Sequence, residues 1–439
     1  MRSNTRVGRT STPIRPTSTQ TVRSTPATRW AGDASRRRSG RRRRGASGGG
    51  GSAECWYHRA VTTSRLVARL ALVLALWYAT AVAAFAAPPA MHARAYMLLN
   101  PDTGEILASR NPDMRLPMAS TTKMMTALTV ITATGGNGVA VVPADAVATG
   151  ESSAGLVAGE QIGVRDLLKG LLVGSGNDAA VTLADHVAGS QPGFVRMMNA
   201  RARRMGLTGT RFANPHGLDA PGHHSTVRDL IRMARAVMAD PVLRPMVAHR
   251  TGTIPGPGGV GTRLLEGEND LLDIDREADG VKTGHTNGAG YALAAHARRP
   301  RLGVQLYAAV IGAPSRDVRA REMRALLDWG FAQYGTAVVL DPSRTVADVP
   351  MADRDGVTVP VRAGGPAVRR ALRIGAPLDV AIALPGRVGG DVARGEALGT
   401  VTVRQNGRVL ATRPLVAAAD VAGAGVVERV RSTLESLLP

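Results

Sequence analysis

The chain has 439 residues and a formal net charge of +21. Hydrophobic residues make up 44% of it but aromatic residues only 3%, so a large core has to be built from aliphatic side chains and methionine. We expect two domains with terminal extensions at this length. Most of the positive charge lies in residues 1–69, which argues against a nucleic-acid-binding surface on the folded part. The lone cysteine, Cys55, excludes an intrachain disulfide and a cysteine-based metal site.

The N-terminal region is predicted to stay outside the folded domains. Residues 1–60 are rich in Arg, Ser, Thr and Gly and have no hydrophobic period, which predicts a disordered tail. Residues 61–87 follow with a basic flank and an apolar run, and Ala84-Phe85-Ala86 is typical of a signal-peptide cleavage site. We therefore expect the remainder to be exported, either after cleavage or behind an uncleaved signal anchor.

Residues 88–338 are predicted to form one α/β (α+β) domain, because helical patterns occur before and after a small set of antiparallel strands. A strand, a tight turn and a second strand are expected over 96–108. The predicted helices are Ser120–Gly135, Val164–Val173, Asp178–Val187, Phe194–Met205, Leu230–Met238 and Val318–Tyr334. Two apolar strands, Gly290–Ala297 and Leu302–Ile311, precede the last of these helices.

Residues 345–422 have a different pattern, with short valine-rich runs separated by Gly and Pro. This pattern predicts a small β-sandwich-like domain. Its expected strands are Val357–Val361, Leu378–Ile382, Gly399–Arg404 and Arg408–Thr412. Residues 425–439 place their apolar side chains on one stripe, which predicts an amphipathic helix that docks on this domain or lies on a membrane.

Three short motifs occur in order along the first predicted domain: Ser120-Thr121-Thr122-Lys123, Ser175-Gly176-Asn177 and Lys282-Thr283-Gly284. Only three lysines occur in the chain, and Lys123 and Lys282 are two of them. Lysine, unlike arginine, can lose its proton when it is desolvated, so its retention in an arginine-rich chain points to a chemical role. Each motif alone is a weak signal, but the ordered set is specific.

The residue types in the first two motifs suit nucleophilic catalysis. Ser120 and Lys123 are three residues apart at a predicted helix start, so their side chains share one face. The helix dipole and burial both favour neutral lysine there, and a neutral lysine can take the proton of the Ser120 hydroxyl. The hydroxyl of Ser175 and the amide of Asn177 are suited to relay a proton and to hold a peptide backbone.

The third motif suits the binding of a peptide terminus. Lys282 and Thr283, on a predicted strand, offer a cation and a hydroxyl to a terminal carboxylate, and the strand offers backbone groups to an extended peptide. A developing oxyanion needs two N–H donors, and the N–H of Ser120 is one candidate.

The segments around these motifs resemble those of the serine D-Ala-D-Ala carboxypeptidases, the low-molecular-mass penicillin-binding proteins. The likeness covers about residues 90–335 and implies a β-lactamase/transpeptidase-like domain, while the β-domain after it resembles the family's C-terminal domain. The matching segments are Leu116–Thr126, Ser175–Ala180, Phe212–Leu218, Asp279–Thr286 and Ala289–Tyr291.

The resemblance implies a role for each motif residue. Ser120 is then the acyl-enzyme nucleophile, Lys123 the general base and Ser175 a proton-transfer group. The backbone N–H of His285 is the implied second oxyanion donor. The implied substrate-binding residues are Asn177, Lys282, Thr283, Gly284 and His285.

The same resemblance implies the partners and the location. The expected substrates are peptidoglycan stem peptides that end in D-Ala-D-Ala, and β-lactam antibiotics are the expected covalent inhibitors. No metal or organic cofactor and no nucleic acid is expected, whereas a membrane surface is a further candidate partner. The site of action is then the outer face of the bacterial cell membrane or the cell wall.

Three other functions compete with this interpretation. A serine β-lactamase shares the nucleophile and its lysine, but a class A enzyme needs a glutamate-activated water, and no glutamate occurs between Gln161 and Arg263. A transpeptidase of the same lineage differs only in the group that accepts the acyl chain, which motifs do not decide. A non-catalytic wall-binding protein is disfavoured by the intact Ser120 and Lys123.

Overall fold

The computed structural model describes residues 20–22, 87–425 and 430. The predicted N-terminal tail lies outside the described residues except for 20–22, as does the predicted export segment up to residue 86 and, except for Val430, the predicted C-terminal helix beyond 425. No helix in the described part of the chain has the length and hydropathy needed to cross a bilayer. These residues form two compact units, 87–335 and 336–425 with 20–22.

The first unit carries nine α-helices within its described residues. They are α1 Lys123–Thr134, α2 Ala144–Val147, α3 Val164–Leu172, α4 Asn177–Ala188, α5 Gln191–Arg204, α6 Val227–Ala239, α7 Leu243–Val247, α8 Leu271–Ile274 and α9 Arg316–Ala332. The six predicted helices correspond to α1, α3, α4, α5, α6 and α9. The side chain of Thr226 accepts a hydrogen bond from the N–H of Asp229, which caps α6.

Seventeen strands occur in the described residues. They are β1 Gln20–Val22, β2 Ala95–Leu99, β3 Ile106–Arg110, β4 Val139–Val141, β5 Gln161–Gly163, β6 Thr251–Pro255, β7 Thr262–Glu266, β8 Ala278–Thr286, β9 Gly290–Arg299, β10 Val304–Ala313, β11 Tyr334–Leu340, β12 Thr345–Pro350, β13 Thr358–Ala363, β14 Val368–Arg373, β15 Asp379–Ala383, β16 Ala397–Gln405 and β17 Arg408–Ala417.

A five-stranded sheet in the order β3-β2-β10-β9-β8 organises the first unit, and its neighbours are all antiparallel. Side chains alternate between its two faces, as the period of a strand requires. Met97 and Leu99 of β2 join the main core with α1 and α3 to α6. Leu98 faces α9, where Gly330 lets the helix approach closely. The predicted α/β architecture is confirmed, with helices packed on both faces of an antiparallel sheet.

The second unit is rich in β-structure, as predicted. One sheet has the order β1-β15-β16-β17-β13-β12, and β11 pairs with β14 in a second, two-stranded sheet. Leu340 and Val368 of the small sheet share one apolar core with Val361, Val401 and Leu415 of the large sheet. This shared core makes the unit sandwich-like.

Candidate active site

A tight turn places Ser120 beside Lys123. Residues Ala119–Thr122 form a 3₁₀ helix, and α1 begins at Lys123. Side chains three residues apart eclipse one another in a 3₁₀ turn, which brings the serine and the lysine together as their spacing predicts. Lys123 Nζ donates to Ser120 Oγ at 2.8 Å and to Asn177 Oδ1 at 2.6 Å.

The environment of Lys123 favours its neutral form. The residue is fully buried, and no carboxylate of the described residues forms an ion pair with it. Burial, followed by the positive charge of Lys282, holds the pKa of Lys123 well below its usual value of 10.5. A buried amine in hydrogen-bond contact with a hydroxyl is the arrangement that makes a serine nucleophilic.

Two glycines allow other segments to approach the turn Ala119–Thr122 closely. Ala119 has a positive φ of 48°, and a Cβ added at Gly217 would lie 2.1 Å from its carbonyl oxygen. A Cβ added at Gly284 of β8 would lie 2.7 Å from the backbone nitrogen of Ser120. The turn is therefore clamped between the strand of the third motif and the loop that contains Gly217.

The loop Phe212–Leu218 owes its shape to one asparagine. Asn214 accepts a hydrogen bond from the N–H of Gly217 at 2.7 Å and donates to the carbonyl of Leu218 at 2.8 Å. Thr126 of α1 donates to the carbonyl of Pro215. These bonds fix Gly217 against the turn Ala119–Thr122, which gives the matching segment Phe212–Leu218 a structural role.

The second motif connects α3 to α4. Ser175 has a positive φ of 57°, and a side chain at Gly176 would collide with Asp178 and Ala154. The carboxylate of Asp178 accepts bonds from Ser153 Oγ and from the N–H groups of Ala154 and Leu156. This carboxylate therefore fixes the 151–156 loop against the start of α4.

The third motif lies on β8, where Lys282 pairs in register with Ala294 of β9. Lys282 is 3% exposed, and its Nζ donates to the carbonyl of Thr283 at 3.1 Å. Burial lowers the pKa of Lys282 to about 8, while the charge of Glu268 acts in the opposite direction. Lys282 thus keeps a positive charge at neutral pH although it is buried.

A cleft of about 110 Å³ lies at the meeting point of the three motifs. It contains Ser120 and Ser175, and Lys123 and Asn177 lie directly behind Ser120. Lys282 borders a smaller recess, which it shares with Thr283. The cleft is lined by Ser120, Glu151, Ser152, Ser175, Gly217, Leu218, Glu268, Thr283, Gly284, His285 and Thr286.

Sequence reasoning missed three of these lining residues, Glu151, Ser152 and Glu268, which lie outside every motif and matching segment. Glu151 and Ser152 lie in an irregular loop, and Glu268 follows the short strand β7, so no periodic pattern marks them. The two glutamates also lie outside the 161–263 stretch that was searched for a water-activating carboxylate. The absence of glutamate from residues 161–263 therefore does not exclude a β-lactamase.

Two buried histidines near the cleft, His216 and His223, are structural. Burial lowers the pKa of both His216 and His223 to about 4. His223 Nδ1 accepts from the N–H of Ala213 at 2.9 Å, so its Nε2 carries the proton and donates to Thr122 Oγ1 at 2.8 Å. His216 Nδ1 accepts from the N–H of Leu218 at 3.2 Å. Among the described residues, no three His, Cys, Asp or Glu side chains are grouped as metal ligands would be.

Comparison with known proteins places these observations in a family. The family model described as D-alanyl-D-alanine carboxypeptidase matches residues 82–315. The chain is 34% identical over 391 residues to D-alanyl-D-alanine carboxypeptidase DacC of Escherichia coli K12, which spans 84% of this chain and 95% of the relative.

Solved structures agree with this match. Penicillin-binding protein 5 of Haemophilus influenzae is 30% identical with a TM-score of 0.56, over 77% of this chain and 99% of that protein. The Streptomyces K15 DD-transpeptidase is 30% identical with a TM-score of 0.53, over 56% of this chain and 100% of that protein. The likeness to the first structure extends over both units, and the likeness to the second covers about the length of the first unit.

Proposed function

We propose that Ser120 is the nucleophile of this chain, which belongs to the D-alanyl-D-alanine carboxypeptidase family and is a serine-type carboxypeptidase of peptidoglycan maturation. The observation that supports this role most strongly is the 2.8 Å contact between Lys123 Nζ and Ser120 Oγ in a fully buried setting. A lysine that is neutral at working pH can accept the serine proton, which a surface lysine with its usual pKa cannot do.

The first half of the reaction forms an ester. The terminal carboxylate of a peptide that ends in D-Ala-D-Ala binds at Lys282 and Thr283, and Asn177 holds its backbone. Ser120 Oγ attacks the carbonyl carbon between the two D-alanines while its proton moves to Lys123 Nζ. The oxyanion that forms is stabilised by the N–H groups of Ser120 and His285.

The tetrahedral intermediate becomes the ester when its C–N bond breaks. The departing amine of the terminal D-alanine takes a proton that is delivered from Lys123 through the hydroxyl of Ser175. Water then attacks the ester carbonyl, the proton of this water returns through Lys123, and Ser120 is released. Gly284 contributes by its small size, because it lets β8 lie against the turn Ala119–Thr122.

β-Lactam antibiotics are the inhibitors that this mechanism predicts. The amide of the lactam ring takes the place of the scissile amide. When Ser120 opens the ring, an ester forms on Ser120, and the amine that would otherwise leave stays attached to the acyl group. We expect slow release of this ester. Rapid hydrolysis would instead favour a β-lactamase, with Glu151 or Glu268 as the carboxylate that activates water.

The experiment that tests the assignment measures D-alanine released from Nα,Nε-diacetyl-L-Lys-D-Ala-D-Ala by the purified full chain. Ser120→Ala should release none above background while it unfolds at the same denaturant concentration as the wild type. Release by the folded variant at more than about 1% of the wild-type rate would exclude Ser120 as the nucleophile. Added glycine tests the transpeptidase alternative, because a transpeptidase would form an acetylated peptide that ends in glycine.

We also propose that residues 61–87 direct export and that the enzyme acts on the outer side of the membrane. The basic flank, the apolar run and the small-residue pattern support this proposal, and a cell-wall substrate requires it. The N-terminal sequence of the protein recovered from the cell envelope tests it: a start near Ala87 supports cleavage, and recovery from the cytosol only would contradict export.

A further inference from the structure

The cleft is bordered by a glutamate that the proposed mechanism leaves without a role. Glu151 lines the cleft together with Ser120 and Ser175. Its side chain is exposed, and among the described residues no hydrogen bond or ion pair to its carboxylate is found. Its negative charge is close enough to the catalytic lysine to oppose the lowering of the Lys123 pKa. A free carboxylate therefore stands at the open side of a cleft built for peptides.

The backbone on both sides of Glu151 is fixed to the second motif. The side chain of Asn177 donates to the carbonyl of Gly150 at 2.9 Å, and its backbone N–H donates to the carbonyl of Ser152 at 2.8 Å. Asp178 holds the next residues of the loop. Glu151 is thus positioned beside Asn177, on the wall of the cleft formed by α4 and its preceding loop.

The proposed mechanism sets the direction of the bound peptide. The terminal carboxylate lies at Lys282 and Thr283, and the scissile carbonyl lies at Ser120. The proposed mechanism gives Asn177 the peptide backbone, and this contact falls on the N-terminal side of that carbonyl because Lys282 and Thr283 occupy the carboxylate side. The residue that precedes the two D-alanines therefore emerges on the side of Asn177, where Glu151 stands.

We propose that Glu151 is a specificity-determining residue that favours peptides whose residue before D-Ala-D-Ala carries a side-chain ammonium group. An ammonium group gains an ion pair with the carboxylate, whereas an acylated amine carries no charge and gains nothing. Because the pair is exposed to solvent, we expect a preference of roughly threefold to fivefold, the upper range for exposed ion pairs. The inference rests on the proposed function, since that function sets the direction of the peptide.

Two substrates that differ only in this charge test the proposal. Nα-acetyl-L-Lys-D-Ala-D-Ala has a free ε-amine, and its Nα,Nε-diacetyl form does not. The quantity to measure is kcat/KM for the free form divided by kcat/KM for the capped form. The wild type should give a ratio of about three to five, and Glu151→Gln should lower it to about one. Any effect of the substitution on Lys123 acts on both substrates alike and cancels in the ratio.

Glu268→Gln is the matched control, because Glu268 also lines the cleft and its charge acts on Lys123, as that of Glu151 does, and on Lys282 as well. It should change kcat/KM for both substrates by the same factor and leave the ratio at its wild-type value. A wild-type ratio of one, or a Glu151→Gln ratio that stays at the wild-type value, would overturn the inference.

Ester formation with benzylpenicillin distinguishes failure of the specificity role from failure of the proposed function. If wild type and Glu151→Gln both form the ester, such a ratio refutes the specificity role alone, whereas loss of the ester in the wild type refutes the proposed function.

Discussion

The two walls of the cleft each bury a lysine, and the largest neighbouring charge that acts on each lysine differs in sign: the cation Lys282 for Lys123 and the carboxylate Glu268 for Lys282. On the helical wall, Lys123 contacts the neutral oxygens of Ser120 and Asn177, and its pKa lies well below the usual value. On the strand wall, Lys282 is nearly as buried, and its pKa falls to about 8, with the charge of Glu268 opposing the effect of burial. Burial alone therefore does not decide the charge of a lysine.

This difference suits the roles proposed for the two lysines, Lys123 as a base and Lys282 as a cation. A general base must be able to exist without its proton at working pH, whereas a group that binds a carboxylate must keep it. The second cation also helps the first, because the charge of Lys282 further lowers the pKa of Lys123.

The largest effect is expected from Lys123→Arg, which replaces the base with a side chain that stays protonated. The rate constant for ester formation with benzylpenicillin should fall by about 10³-fold, within the range for loss of a general base. Lys169→Arg is the control, because Lys169 pairs with Asp166 on the surface of α3. Stopped-flow kinetics that showed less than a tenfold loss for Lys123→Arg would contradict the assignment of the base.

Gly217→Ala tests whether ester formation depends on the close approach of Gly217 to the carbonyl of Ala119. The added methyl group would overlap the carbonyl of Ala119, so we expect the Ser120 hydroxyl to be displaced and ester formation to slow by about 10²-fold. Gly104→Ala is the control, because Gly104 also has a positive φ, 75° against 105° for Gly217, but has open space around it. This control should lose about 1 kcal/mol of unfolding free energy and keep its rate, and equal rates for both variants would contradict the clamp.

Lys282 is expected to set the upper limit of the pH range. Because its pKa is about 8, the group is protonated below that pH, and kcat/KM for a D-Ala-D-Ala peptide should fall as pH rises through 8. Lys282→Ala should lose roughly tenfold to hundredfold in kcat/KM at pH 7, mainly through KM, as for a lost charge-assisted hydrogen bond. Lys282→Arg should move the alkaline fall to higher pH. If the fall of kcat/KM at high pH occurs at the same pH in Lys282→Arg as in the wild type, a group other than Lys282 causes it.

The smallest effect concerns stability rather than rate. His223 has a pKa of about 4 in the folded chain and about 6.5 when unfolded, so the unfolded state binds more protons between these values. Stability should therefore fall as pH drops, by about 2 kcal/mol between pH 7 and 5 from this group alone. His223→Gln should show a correspondingly smaller loss in urea unfolding, and an unchanged pH dependence would show that His223 is not responsible.

The sequence alone pointed to those parts of the candidate site whose residues are near one another along the chain. Ser120 and Lys123 are three residues apart, and Lys282, Thr283 and Gly284 are consecutive, so local geometry brings each set together. The long α-helices and the apolar strands β9 and β10 were also predictable, because their side chains repeat with a helical or strand period.

The parts that could not be predicted depend on contacts between distant, irregular segments. Glu151 and Glu268 meet the cleft through loops, and only the folded chain shows that Asp178 and Asn177 fix the first of them. Strands of three residues such as β4 and β5 are too short to show a period. The Gly217 contact likewise depends on a backbone approach that no side-chain pattern records.

The most direct test of the central claim is intact-mass spectrometry of the full chain after it is mixed with benzylpenicillin, followed by peptide mapping. The account predicts one adduct of one drug mass, located on Ser120, in the wild type and in Lys169→Arg, and none in Ser120→Ala. An adduct on another residue, or no adduct with the drug left intact, would contradict Ser120 as the nucleophile. Complete hydrolysis of the drug without a trapped ester would contradict slow release and favour the β-lactamase alternative.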